Sequence, residues 1–331
     1  MKKLIAALIL LVTLTTVLVG CTPKDDTQIK VGFLAGPTGI GMAKMINDHG
    51  GVEAGGQYNF IKYTAPDKAM TDLKAGNIDI ACVSTEIAAK FYNDGADIEV
   101  LNINCLNSIC LLTNDNVTIN SIYDLEGKTI YTSIQGTPKL ILKALLNAYG
   151  VNATISHEVG EGDDVATINS PDQIAPLIVK NQVDIILAPI HLACNALAKP
   201  SAKHKITLDI DALWNEKFDT PIAMGCLVVR RSFIEEHPVA IENFLREYGE
   251  SVNFMSNTNN IDSAAEYVVD STILPELEPA KKALVMLAPG IKLIGGDLMK
   301  DTLINIYNVY GLDTIGGKQP DDNFYHVNFK K

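Results

Sequence analysis

Arginine, aromatic residues and long apolar runs are scarce in this chain, and each scarcity limits what the protein can be. Only three of the 331 residues are arginine, 6% are aromatic, and the formal charge is -12. This charge balance argues against nucleic acid or an anionic membrane surface as a partner. No apolar run after residue 20 is long enough to cross a bilayer, so the folded part is predicted to be soluble.

Several motifs of catalysis and cofactor binding are also missing. The glycine-rich stretch that follows the first strand is not closed by Gly-Lys-Ser/Thr and lacks the strict G-x-G-x-x-G spacing, and the G-x-S-x-G elbow of hydrolases is absent. No spacing of cysteine and histidine suits zinc. We therefore expect neither a cofactor nor a metal.

The cysteines do not form a recognisable disulfide framework. Five follow Cys21, and each has apolar neighbours. An odd number scattered in this way is typical of small buried hydrophobic residues. A bridge between Cys105 and Cys110 is the one local alternative.

The N-terminus reads as a targeting segment. A basic start is followed by an apolar run from Leu4 to Val19, and this run is short enough for a signal peptide. Residues 18–21, Leu-Val-Gly-Cys, resemble the bacterial lipobox, which implies that Cys21 is acylated after residues 1–20 are removed. Residues 21–28 would then be a lipidated polar tether. The alternative is a plain cleaved signal or an anchor helix.

The stretch from Ile29 to Ile46 combines a short apolar strand, the turn AGPTGIG and an apolar pattern at helical spacing. A strand that ends in glycines and continues as a helix leaves backbone N–H groups free at the helix start. That start lies at the sheet edge where α/β proteins bind ligands. The stretch is therefore predicted to form half of a ligand site, with an ordinary strand-to-helix turn as the alternative.

The pattern of strands and helices in the first half of the chain recurs in the second half. The segment LKAGNIDIACVSTEIAA resembles LIVKNQVDIILAPIHLAC, and Asp79 aligns with Asp184. Two β-α-β-α-β units predict an α/β fold with two similar lobes, each a mixed, mostly parallel sheet flanked by helices. The ligand-binding edges of the two lobes can face one another across a cleft.

The chain is predicted to cross between the lobes twice, which makes a two-strand hinge. The first crossing is Cys105–Ser108 and the second is Phe218–Pro221. After the second crossing the chain is predicted to be mainly helical, beginning with one helix from Ser232 to Asn257. The predicted boundaries are residues 29–106 and 219–331 for lobe I and 107–218 for lobe II.

Four loops and the first crossing are predicted to face the cleft. They supply mainly hydroxyls, amides and helix-start N–H groups, which suit an oxyanion or a polar head group. The three arginines fall on or after the second crossing and are expected on solvated faces, so no bidentate clamp is predicted. The predicted ligand-binding residues are Pro37, Thr38 and Gly39; Ser84, Thr85 and Glu86; Gln135, Gly136 and Thr137; His191; and Asn107 and Ser108.

The repeat places Glu86 and His191 at equivalent positions, one in each lobe, just after the third strand. Glu86 could pair with a ligand amine, or it could be a carboxylate favoured at a helix start. His191 could donate to the ligand or titrate, or it could be an unremarkable surface residue. Trp214, the only tryptophan, could stack on a ring or simply pack beside the second crossing.

Several segments resemble a known family. They include the lipobox, GPTGIGMAKM, SIYDLEGKTIYTSIQGTPKLILKALL, NQVDIILAP and CLVVRRSFIEEHPVAIENFLREY. Over its whole mature length the chain is similar to the substrate-binding lipoproteins of ABC importers of the nitrate, sulfonate, taurine and thiamine-precursor type. The resemblance implies the type 2 periplasmic-binding-protein fold. It also implies a lipid-anchored protein outside the membrane that closes on a small molecule and delivers it to a permease driven by a cytoplasmic ATPase.

We expect a monomer that binds its ligand without transforming it. A sensor lipoprotein that reports the same ligand to a membrane receptor is the first alternative. An enzyme of the same fold is the second. The pyrimidine synthase of fungal thiamine pathways would need a cysteine cluster that the sequence lacks.

Overall fold

The structure is a computed structural model that describes residues 25–134, 136–160 and 162–327. The predicted signal peptide, Cys21 and Gln135 lie outside the described residues. Of the predicted tether, residues 25–28 are described: they have no regular secondary structure, and the Gln28 side chain donates to the Gly55 carbonyl. Within the described ranges, no helix has the length and apolar character needed to cross a membrane.

Strands and helices alternate through most of the chain. The strands are β1 Ile29–Leu34, β2 Tyr58–Tyr63, β3 Ile80–Ser84, β4 Ile98–Leu106, β5 Ile109–Asn114, β6 Thr129–Tyr131, β7 Thr154–Ser156, β8 Glu158–Val159, β9 Ala166–Thr167, β10 Ile185–Pro189, β11 His204–Leu208, β12 Ala223–Arg230 and β13 Ile291–Ile294. The helices are α1 Pro37–Ile40, α2 Ala43–Asp48, α3 Pro66–Lys74, α4 Thr85–Asn93, α5 Thr137–Tyr149, α6 Ile174–Val179, α7 Ile190–Leu197, α8 Ile210–Lys217, α9 Arg231–Glu236, α10 Pro238–Met255, α11 Ile261–Asp270, α12 Leu277–Leu287 and α13 Gly296–Tyr310.

Lobe I is built on a six-stranded sheet in the order β13-β4-β12-β3-β1-β2. Strand β1 runs parallel to β2 and β3, as the β-α-β-α-β unit requires. Strand β12 lies antiparallel between β3 and β4, so the returning chain becomes a central strand of this lobe. The almost unbroken burial of β12 explains its continuous apolar sequence.

Lobe II has a five-stranded sheet in the order β11-β5-β10-β6-β7, and β8 and β9 form a separate two-stranded sheet. Strand β6 runs parallel to β7 and β10, while β5 lies antiparallel beside β10. This arrangement mirrors lobe I, with β5 in the place of β12. The prediction of two similar α/β lobes with mixed sheets is confirmed, and every antiparallel pair in the two large sheets involves β5 or a strand next to the hinge, β4 or β12.

The two crossings between the lobes lie side by side. Strand β4 ends at Leu106 and β5 begins at Ile109, so the first crossing is Asn107 and Ser108, shorter than predicted. Asn107 has a left-handed backbone with φ 46. Its N–H donates at 3.2 Å to the carbonyl of Ile222, which lies between the predicted second crossing and the start of β12. This bond joins the two chains of the hinge directly.

The segment after the second crossing differs from the prediction in two ways. The single helix expected from Ser232 to Asn257 is two helices, α9 and α10, separated at His237. Pro238 lacks an N–H and disfavours the helical conformation of the residue before it, which explains the break. Helix α12 also packs against α7 of lobe II, so the C-terminal segment contacts both lobes.

Other side chains have structural roles that the sequence left open. All five described cysteines are free and buried, so Cys105 and Cys110 are not bridged. The Trp214 side chain is fully buried, and its indole N–H donates to the Thr220 carbonyl. Of the two alternatives for Trp214, packing beside the second crossing is therefore the one observed. Arg230 and Arg231 were expected on solvated faces, which was wrong. Arg230 pairs with the buried Asp79, and Arg231 pairs with acidic residues near β4. These ion pairs hold the ends of strands in lobe I.

Candidate functional site

A cavity of about 220 Å³ lies between the lobes, where the carboxyl ends of strands from both sheets meet. Parallel strands bring their following loops to one edge of a sheet, and two such edges face each other here. Seven of the predicted residues line the cavity: Pro37, Thr38, Ser84, Ser108, Gly136, Thr137 and His191. Gly39, Thr85, Glu86 and Asn107 are not among its lining residues, and each has a different place.

The loop after β1 reaches the cavity through Thr38. The Asn104 side chain donates to the Thr38 carbonyl at 3.1 Å and to the Tyr248 hydroxyl at 2.9 Å, which fixes this loop on the core of lobe I. Gly39 packs inward: a Cβ at this position would lie 2.4 Å from the Leu34 carbonyl oxygen. The close approach of the Leu34 backbone explains why this position needs glycine, and Gly39 is not among the described residues that line the cavity.

Ser84, the last residue of β3, lines the cavity, whereas Thr85, the first residue of α4, does not. Thr85 is buried, and its hydroxyl donates to the Ala223 carbonyl at 2.9 Å. Its own carbonyl accepts from the Tyr307 hydroxyl at 2.9 Å. Thr85 thus joins α4 to β12 and α13 within lobe I, and these bonds leave it no part in the wall of the cavity.

Glu86 lies directly behind that wall. It is 5% exposed, and its Oε2 accepts from the Thr137 hydroxyl of lobe II at 2.9 Å. Its Oε1 is buried and has no hydrogen-bond partner among the described residues. Burial raises the pKa of the Glu86 carboxyl, while hydrogen bonding to the carboxyl, including the bond from Thr137, opposes that rise. Glu86 therefore connects the two lobes across the cleft.

His191 occupies the equivalent position in lobe II and lines the cavity. Its side chain is 9% exposed, so the reading of a surface histidine was wrong. Burial lowers the pKa of His191 to about 4, which keeps the ring neutral at pH 7. Its Nδ1 has no partner within the described ranges. The ring also approaches lobe I, because a Cβ at Gly36 would lie 3.5 Å from its Cε1 atom.

The two residues of the first crossing face different sides of the hinge. Ser108 lines the cavity, and its carbonyl accepts from the Ile190 N–H at the start of α7. Asn107 instead lines a second cavity of about 410 Å³ on the other side of the crossing, beside Asp209 and Met286. Consecutive residues of the crossing thus line different cavities, and only Ser108 of the two lines the cavity between the lobes.

Each lobe contributes one further segment to the cavity that was not predicted from the sequence. The loop after β2 contributes Thr64, Ala65 and Pro66, and the segment before α6 contributes Ser170, Pro171 and Asp172. Both segments carry a usable signal. Pro66 opens a helix directly after a strand, and Ser170 forms a capping box with Gln173. The ligand-binding loops predicted from the sequence were those after the first and third strands of each half of the chain.

The lining residues are rich in hydroxyls and prolines. Among the described residues that line the cavity there is no arginine or lysine, and Asp172 is the only one with a carboxylate. Prolines stand at the starts of helical segments around it and reduce the number of free N–H groups there; they are Pro37, Pro66, Pro138, Pro171 and Pro189. In the described part of the chain, no cluster of three or more His, Cys, Asp or Glu residues could hold a metal ion.

A family model described as NMT1/THI5 like matches residues 52–259, which is more than half of the chain. The chain belongs to this family. The match spans both crossings and most of both sheets, so the family and the fold predicted from the sequence are confirmed. No curated protein matches the NMT1/THI5-like chain in sequence.

Solved structures share the fold of this NMT1/THI5-like protein at low sequence identity. An ABC transporter structure from Parabacteroides distasonis has a TM-score of 0.73 and 18% identity, covering 92% of this chain and 100% of that one. The alkanesulfonate-binding protein SsuA from Xanthomonas axonopodis pv. citri, bound to MOPS, has a TM-score of 0.64 and 12% identity, covering 87% and 94%. The nitrate-binding protein NrtA from Synechocystis PCC 6803 has a TM-score of 0.54 and 17% identity, covering 73% and 66%.

Proposed function

We propose that this protein is the extracytoplasmic solute-binding component of an ABC importer. The observation that carries the proposal is the cavity between the lobes, closed by a hydrogen bond from Thr137 of lobe II to Glu86 of lobe I. A clamp of this kind can hold a ligand only when both lobes contribute, and closure tells a partner that the ligand is bound. The structural similarity to an alkanesulfonate-binding protein and a nitrate-binding protein supports such a role.

The ligand is a small polar molecule that the protein binds and releases unchanged. The cavity, at about 220 Å³, is smaller than the 300–1,000 Å³ typical of sites for drug-sized ligands. Thr38, Ser84 and Thr137 supply hydroxyls to it, and Ser108 and His191 lie at the hinge side. Gln135 remains a predicted contact from the loop that precedes Gly136.

Membrane attachment belongs to the proposal as well. The lipobox-like segment supports acylation of Cys21, which would hold the domain at the outer face of a bacterial membrane, close to a permease. We expect mass spectrometry to find lipid on Cys21 and Cys21→Ser to release the protein in soluble form. A mature N-terminus elsewhere would contradict this part of the proposal. A monomer is expected in solution.

The binding role is tested by thermal shift with sulfonates, nitrate, amino acids, aminopyrimidines and other thiamine precursors. A ligand at 100 times its dissociation constant should stabilise the protein by about 2.7 kcal/mol. Ser84→Ala should reduce that stabilisation, and Ser232→Ala, outside the cavity, should leave it unchanged. A response only to sugars or metal ions would defeat the proposed ligand class. No response to any small molecule would defeat the function.

A further inference from the structure

The hydroxyl of Thr137 has a single proton, and that proton is already used. Its Oγ1 donates to Glu86 Oε2 at 2.9 Å, and Thr137 itself lines the cavity. A hydroxyl that donates in one direction retains only lone pairs for any other partner. Toward the ligand, Thr137 therefore acts as an acceptor.

Glu86 keeps this polarity fixed. Its carboxyl is buried at the start of α4 and cannot turn to solvent while the cleft is closed. The oxygen that faces Thr137 accepts a hydrogen bond in either protonation state, provided that any proton sits on the other oxygen. The Ser84 hydroxyl also lines the cavity, but it has no hydrogen-bond partner among the described residues and can therefore either donate or accept.

The other hydroxyls of the lining can donate or accept, so the charged groups around the cavity decide the preference. Asp172 contributes a carboxylate, which accepts hydrogen bonds and repels anions. Proline at a helix start has no N–H to offer, so the helix ends here are weaker anion sites than bare ones would be. Among the described lining residues there is no lysine or arginine. An oxyanion would therefore meet the Asp172 carboxylate and the acceptor side of Thr137 without a cationic group to offset them.

We propose that the cleft selects a small ligand that donates hydrogen bonds, an amine or an N–H-bearing heterocycle, neutral or cationic, and rejects oxyanions such as sulfonates, and that Glu86 sets this preference through Thr137. The proposal rests on the binding function proposed above and assigns its ligand class. Glu86 acts as a positioning residue, because it lies behind the lining side chains. This ligand class differs from the anions after which the alkanesulfonate-binding and nitrate-binding neighbours are named.

Matched probes test the class without knowledge of the natural ligand. Butylamine and benzylamine are compared with butanesulfonate and benzoate by thermal shift and by titration calorimetry at pH 7. Each pair has a similar apolar body and differs in the sign of charge and in donor capacity. We expect the amines to bind at least about tenfold more tightly than the matched anions, as for one hydrogen bond to a charged group.

Glu86→Gln tests the positioning role. The amide can donate to Thr137 and release the Thr137 proton toward the cavity, so the preference for amine over anion should fall by about tenfold. Glu235→Gln makes the same chemical change on an exposed residue outside the cavity and should leave the preference unchanged. An equal loss of affinity for amine and anion in Glu86→Gln would show a structural role only and would overturn the assignment to Glu86.

The outcomes separate the two proposals. Tight binding of an anion that also compacts the protein in solution scattering would overturn the ligand class and leave the binding function standing. Failure of every probe, amine and anion, to bind or to compact the protein would count against both.

Discussion

Single side chains at the cleft determine the contact between the lobes and the pH dependence of stability. Thr137 and Glu86 meet across the lobes, and Glu86 Oε1 and His191 Nδ1 have no partners among the described residues. Buried polar atoms without partners are costly, so such atoms beside a cavity indicate groups that await a ligand. The sequence placed Glu86 and His191 at equivalent positions but could not show that both would be buried.

Thr137→Val tests the contact between the lobes. The valine keeps the shape and removes the one hydroxyl that donates to Glu86 from lobe II, so ligand affinity should fall by about 1–2 kcal/mol. The measurement is titration calorimetry with the amine probe that binds most tightly. Thr118→Val, on an exposed threonine of the same lobe, is the matched control. Unchanged affinity in Thr137→Val would show that the contact is incidental.

His191 should make the protein less stable in acid. Because burial lowers its pKa from 6.5 to about 4, the unfolded chain binds a proton in this pH range before the folded one does. The stability that the neutral ring provides is present above pH 6.5 and is lost as the pH falls toward 4. Linkage gives a loss of about 2 kcal/mol between pH 7 and pH 5. Chemical denaturation of wild type and His191→Asn should show a smaller loss in the variant.

Glu86 should change the stability in acid in the opposite direction to His191. The Glu86 pKa is raised by burial, so its contribution to stability grows as the pH falls. Glu86→Gln should therefore enlarge the acid loss that His191→Asn reduces. Parallel shifts in the two variants would mean that one of the pKa directions is wrong.

At the scale of elements, strands and their order were predictable and side-chain directions were not. The alternation of apolar segments with turns located β3 and β10, the crossings and the return strand. Which of the residues Ser84, Thr85 and Glu86 lines the cavity depends on hydrogen bonds to β12 and α13, which lie far along the chain. The helix break at His237 had a local signal in Pro238, whereas the inward packing of Gly39 depends on tertiary contact.

Strand β12 positions the first ligand loop through a glycine. A Cβ at Gly225 would lie 2.5 Å from Thr38 Cγ2 and 2.8 Å from Asn104 Oδ1. Gly225→Ala should push the Thr38 loop from its place, destabilise the protein by about 1–3 kcal/mol and weaken ligand binding. Denaturant unfolding and calorimetry measure the two effects.

Gly249 provides the control for that substitution. It lies within α10, and an added Cβ would have its nearest neighbour at 4.0 Å. Gly249→Ala should stabilise the protein by up to about 1 kcal/mol through helix propensity and leave binding unchanged. If Gly225→Ala behaved in the same way, the close approach between β12 and the Thr38 loop would have no functional weight.

At the scale of the whole molecule, the lobes are in contact, and this closed arrangement is expected to need a ligand. Closing the empty cleft buries Glu86 and His191 with polar atoms unpaired, and the open form returns these atoms to water. A ligand that binds both forms equally could not close them, so the ligand must interact more favourably with the closed form than with the open one. The packing of α12 on α7 limits how far the lobes can separate.

The empty protein should therefore have a larger radius of gyration than the closed structure, and a tightly binding amine probe should reduce it. Gly36→Phe is the comparison variant. Gly36 has an extended backbone, φ 162, that any residue can adopt, and a large side chain there would meet the His191 ring. This wedge should keep the lobes apart, so the variant should stay expanded at ligand concentrations that close the wild type. Small-angle scattering on both proteins decides the matter. A wild type that is equally compact with and without ligand would mean that the protein is a rigid binder, and the hinge would then have no part in reporting the bound state.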